Sequence, residues 1–200
     1  MKEQLIGMVM SFLTGIIIMI LHELPKSIIY NQLSEKKYKG IWKLYQYIDP
    51  IGLVFCVTTF AGFSRPYMYR IKEKKINMIL GITGFFSLFT IFVTSISVLR
   101  FQYADVDVNI PLTSMNAYIR ILVYLFWYFS ALLSCGMILV NLFPVSTFDF
   151  GLLIAGKSPS KYFSIIRNDY IIKMVLILAV MLGLINVFSS NIVRFLVTVI

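Results

Sequence analysis

Residues 5–21 read LIGMVMSFLTGIIIMIL, a run without a charged side chain. A continuous apolar stretch of this kind suits the hydrocarbon core of a bilayer, which a helix of ~20 residues crosses. Comparable stretches recur, so that five apolar segments are expected: roughly 4–30, 50–63, 77–99, 119–143 and 171–199. The runs are continuous rather than alternating, which argues against a β-barrel. Hydrophobic residues make up 59% of the chain, and the mean hydropathy is +0.85. The expected fold class is therefore an all-α polytopic membrane protein, a single transmembrane domain over residues 1–200. Lys2 precedes an apolar region that runs straight into His22 and Glu23 with no small-residue cleavage site. It reads as a retained helix, not a cleaved signal.

The second segment, PIGLVFCVTTFAGF at 50–63, is short for a crossing. Lys36, Lys37, Lys39 and Lys43 precede it; Arg65, Arg70, Lys72, Lys74 and Lys75 follow. A crossing would separate these two basic groups, whereas a re-entrant segment keeps them together on the cytoplasmic side, as the positive-inside rule prefers. The expectation is four to five transmembrane helices, one short and re-entrant in the four-span version. The N-terminus then lies outside, and Lys157, Lys161 and Arg167 fall inside. The net charge of +9 reads as topology signal and attraction to anionic lipid headgroups. Nothing in the sequence points to nucleic acid, and no Gly-rich phosphate loop occurs.

Ionisable residues interrupt the first apolar segment at HELPK, residues 22–26. His22 lies about 12 Å from the segment's end near residue 30, at ~1.5 Å per residue. His22 and Lys26 are spaced to share a helix face, with Glu23 beside them. Ionisable groups at such depth are costly and mark function. H-E-x-x-H on a helix offers two imidazoles to one zinc and a glutamate as general base; here Lys26 stands where the second imidazole would be. At the cytoplasmic end of the fourth segment, VNLFPVSTFDFG brings Asn141, Pro144 and Asp149 into the same leaflet as His22. A carboxylate and an imidazole from two helices can therefore meet.

HELPK at 22–26, YIDPIG at 47–52 and NLFPVSTFDF at 141–150 together resemble, in order and approximate spacing, the site-2 protease family of intramembrane zinc metalloproteases in its compact bacterial form. GFSRPYMYR at 62–70 is similar to the family's Gly-x-x-Lys-Pro stretch, and GITGFFSLF at 81–89 more distantly to its A-G-P-x-x-N helix. The resemblance covers about residues 10 to 190. It implies Zn2+ held by His22 and Asp149, Glu23 as catalytic base, and Asn141, Pro144, Asp49 and Pro50 in support. It further implies membrane-embedded polypeptides as substrates and a bacterial cytoplasmic membrane as location. The sequence departs from the family at Lys26, at Phe150 after the aspartate, at Leu88 in place of the asparagine, and at Pro25 inside the motif, where a proline removes a backbone donor and tends to kink a helix.

An ammonium has three donors and no lone pair, so Lys26 cannot ligate zinc without losing a proton. Three arrangements follow: Lys26 pairs with Asp149 or Glu23 beside His22 in a metal-free centre; it snorkels to the interface; or it joins an unusual metal site. Function divides accordingly between an impaired metalloprotease, a non-catalytic pseudoprotease that binds a membrane partner, and a small transporter or assembly factor using buried charges. Asp49 alternatively caps the following helix. Cys56 and Cys135 read as buried structural thiols, Asp105 and Asp107 as a solvated loop. Trp42, Tyr45, Tyr67, Trp127 and Tyr128 read as interfacial or packing aromatics.

Overall fold

The computed structural model describes residues 2–34, 40–66, 73–102 and 115–198. Lys36, Lys37, Lys39, Tyr67, Arg70, Lys72, Asp105 and Asp107 lie outside the described residues. Within them the secondary structure is entirely helical: α1 (Lys2–Leu33), a 3-10 turn (Leu44–Tyr47), α2 (Pro50–Thr59), α3 (Lys74–Gln102), α4 (Met115–Asn141), α5 (Asp149–Lys157), α6 (Pro159–Met181) and α7 (Leu184–Thr198).

Three of these helices, α1, α3 and α4, are long and apolar enough to cross a membrane; α6 and α7 make a fourth if the bent pair counts as one span. Up to four candidate spans agree with the four-span version of the expectation, with α2 as its short segment, and not with the five-span version. Two features account for this. The ten residues of α2 reach only about 15 Å, half a hydrocarbon core. The fifth apolar segment is not one helix: α6 begins at Pro159, and the axis turns by 58° between α6 and α7. Gly183 at φ 71° makes that break, and its N–H donates to Val180 O in the manner of a glycine helix stop. Pro25, by contrast, sits inside the uninterrupted α1.

α2 begins at a side-chain cap. Asp49 Oδ1 accepts from the N–H groups of Ile51 and Gly52, both at 2.9 Å, and Pro50 takes the first helical position, where no amide donor is needed. The helix ends at Phe60, whose φ of 51° turns the chain back. The phenyl ring stacks on Phe129 of α4, ring centres 5.6 Å apart. Residues 61–66 then return without helix, and Arg65 N–H donates to Tyr47 O at 2.9 Å. The chain leaves this hairpin beside the point where it entered.

The largest core cluster joins Ile18 and Met19 of α1, Leu88, Phe92 and Leu99 of α3, Leu132, Leu133 and Met137 of α4, and Val193 of α7. Outward, the helices carry large apolar side chains such as Leu5, Phe86, Met181 and Phe188. Scattered apolar residues are ordinary on a soluble surface, but continuous faces of them need an apolar covering. Trp42 and Tyr45 are exposed just past the end of α1, whereas Trp127 and Tyr128 pack on the core. Cys56 and Cys135 are buried free thiols.

Candidate functional site: an ion-paired polar centre

Two helices and the returning segment 61–66 meet around Lys26. The i, i+3 spacing on α1 brings the Glu23 carboxylate over the Lys26 ammonium, and Nζ donates to Glu23 Oε1 at 2.6 Å. A second bond runs from Lys26 Nζ to Asp149 Oδ1 at 2.8 Å. The other carboxylate oxygen of Asp149 lies 2.7 Å from His22 Nε2. His22 Nδ1 lies 2.6 Å from Ser64 Oγ, and that hydroxyl donates to Glu23 Oε1 at 2.9 Å. The ring closes through five side chains, none more than 5% exposed.

Asp149 reaches the centre because the chain turns sharply after α4. Asn141 holds that turn: its Nδ2 donates to Met137 O at 2.9 Å, and its Oδ1 accepts a long, 3.5 Å bond from the Asp149 amide. Pro144 lies within the same turn, partly buried. Asp149 then opens α5, where helix amides favour a carboxylate. On the opposite side stands Gly84 of α3. A Cβ there would lie 2.3 Å from the Asp149 carboxyl carbon and from both its oxygens. Only a residue without a side chain leaves room for the carboxylate at that level.

The sequence-predicted residues therefore divide. His22, Glu23, Lys26 and Asp149 come together, with Asn141 and Pro144 shaping the turn that delivers Asp149. Asp49 and Pro50 act on the hairpin instead, since Asp49 bonds the first amides of α2. Leu88 is a fully buried core residue. Snorkelling of Lys26 is ruled out by its 1% exposure and its two carboxylate bonds. Two contributors escaped sequence reasoning, Ser64 and Gly84. The only hint of Ser64 was its place in GFSRP, and of Gly84 its place in GITGFF, since both are common residue types.

The donor set does not fit a zinc ion. A catalytic zinc takes three protein ligands and a water, and of the three positions that the family resemblance implies as ligands only His22 and Asp149, not Lys26, carry a metal-binding group. Lys26 Nζ, which has no lone pair as an ammonium, sits against the Asp149 oxygen and the Glu23 oxygen that metal and water chemistry would need. Among the described residues, no group of three His, Cys, Asp or Glu side chains is placed to hold a metal ion. In electrostatic terms the ammonium supplies the positive charge that makes two buried carboxylates tolerable, since buried charges persist only when paired and hydrogen-bonded.

No family model matches this chain, and neither a curated protein nor a solved structure matches it.

Proposed function

We propose that the chain is a non-catalytic, site-2-protease-like integral membrane protein that binds a membrane-embedded polypeptide without cleaving it. The observation that carries this reading is the double engagement of Lys26. Its ammonium bonds both the carboxylate in the base position and the carboxylate in the ligand position. Glu23 is then an ion-pair partner rather than a free base. The family reading draws support from the convergence of the HELPK helix, the segment that follows the DPIG helix, and the N-x-x-P-x-x-x-x-D turn on one buried point.

The same geometry supports the orientation. The Lys74 carbonyl lies against Gly156, so Lys74, Lys75, Lys157 and Lys161 cluster at one end of the bundle. Lys43 and Arg65 flank the open end of the α2 hairpin. The positive-inside rule assigns that end to the cytoplasm and the N-terminus to the opposite side, in a bacterial cytoplasmic membrane. The α2 hairpin re-enters from the cytoplasmic side.

The test uses full-length protein in lipid vesicles with a transmembrane reporter peptide carrying a photo-crosslinking residue. The reading predicts crosslinks to the protein and an intact peptide. Cleavage that disappears in Glu23→Gln would establish a protease instead. A peptide that is neither crosslinked nor cleaved would refute the binding role.

A further inference from the structure

We propose that Ser64 latches the return arm of the α2 hairpin, residues 61–66, over the ionic centre, so that the resting protein occludes its own site. The arm carries no regular secondary structure, and helix hydrogen bonds do not hold it. Its start is packed: Ala61 is buried in a core cluster and the Phe63 ring lies against Phe55 and Phe148. Its end is held by hydrogen bonds. At its end, Arg65 N–H donates to Tyr47 O. One residue earlier, the Ser64 hydroxyl donates to Glu23 Oε1 at 2.9 Å and lies 2.6 Å from His22 Nδ1.

The stoichiometry of that hydroxyl gives the latch its meaning. A serine has one O–H donor and two acceptor lone pairs. Its proton goes to Glu23, which leaves a lone pair facing the imidazole. Lys26 and Asp149 engage Glu23 and His22 from the other side. A glutamate and an imidazole that act on an external molecule must leave a place for a water or a carbonyl between them. In this chain that place is filled by Ser64, itself 5% exposed. The hairpin's remaining points are anchored elsewhere. Tyr47 OH lies 2.7 Å from Ser27 Oγ on α1, and Phe60 stacks on Phe129. With Ala61 and Phe63 packed on the core, the end of the arm at Ser64 is the part whose closure depends on the polar centre. Hydrogen bonds to charged groups are the stronger class, so one side chain suffices to set whether the arm stays closed.

The latch rests on the bonds of this arm, whereas the statement that it covers a site rests on the proposed function; exchange of residues 61–66 tests the first and peptide crosslinking the second, so their failures are distinguishable. The experiment is hydrogen–deuterium exchange of the full chain in detergent micelles, read on the peptide containing residues 61–66. Ser64→Ala is expected to raise exchange of that peptide by about tenfold or more, the range implied by losing bonds to charged partners, while α3 and α4 peptides stay as in the wild type. Near-isosteric Ser64→Cys, a weaker donor, should fall between the two. Gly183→Ala acts on the bend between α6 and α7, where nothing lies within 4 Å of the glycine's Cβ position, and should leave residues 61–66 protected. Unchanged exchange of 61–66 in Ser64→Ala overturns the latch. So does an equal rise across α1, α3 and α4, which would make Ser64 a general packing residue.

Discussion

Lys26 Nζ lies 2.8 Å from Asp149 Oδ1, joining α1 to the first residue of α5 across 123 positions of chain. The same ammonium holds Glu23 one turn away. The ammonium thus provides one cation shared by two buried carboxylates.

Removing that cation should be severe. Lys26→Met leaves Glu23 and Asp149 buried together without a positive partner between them, and breaking a buried pair from one side costs about 3–5 kcal/mol. Thermal denaturation in micelles should show a large fall in Tm. The triple variant Lys26→Met, Glu23→Gln, Asp149→Asn removes both charges with their partner and should recover most of the loss. A triple variant no better than Lys26→Met would contradict the ion-pair account.

Gly84→Ala tests the packing around Asp149. The added methyl would overlap the carboxylate, and the nearest relief is a shift of α3 against α5. Overpacking of this kind costs about 1–3 kcal/mol. The same substitution at Gly40, where nothing lies within 4 Å, should leave stability nearly unchanged, and equal effects at both sites would refute the contact.

The hairpin start is separable from the centre. Asp49→Ala removes a cap worth ~1 kcal/mol, and Asp49→Asn should retain most of it. Neither variant should alter the metal content of the purified protein. A change in metal content with Asp49→Ala would give this residue the site role that the family resemblance implies.

Gly183→Ala probes the bend between α6 and α7. The glycine holds φ 71° with open space around it, so the penalty is backbone strain alone, about 1 kcal/mol. Replacement by Asn, which tolerates this region better, should cost less. Denaturant unfolding of the two variants side by side gives the order, and an alanine as stable as the wild type would argue against a fixed bend.

Much of the architecture could be read from the chain because long apolar helices are written as long uncharged runs. α1, α3 and α4 follow those runs closely, and the D-P pair at 49–50 announced a capped helix. Gly183 was harder: a glycine within an apolar run fits a span as well as a break, and only tertiary packing chooses between them. The partners of Lys26 were within reach, since buried carboxylates and an ammonium at one depth must neutralise one another. Ser64 was not. Its role depends on a turn at Phe60 that brings the chain back beside residues 41 and 42 positions earlier, and no local pattern encodes that return.

The most direct test of the central claim is elemental analysis of the purified full-length protein, wild type beside Lys26→His. The account predicts well under one equivalent of zinc in the wild type, because the Lys26 ammonium already engages the Glu23 and Asp149 carboxylates. It predicts a rise towards one equivalent in the variant, where an imidazole at position 26 would complete three donors with His22 and Asp149. Stoichiometric zinc in the wild type, removed by Asp149→Asn, would contradict it.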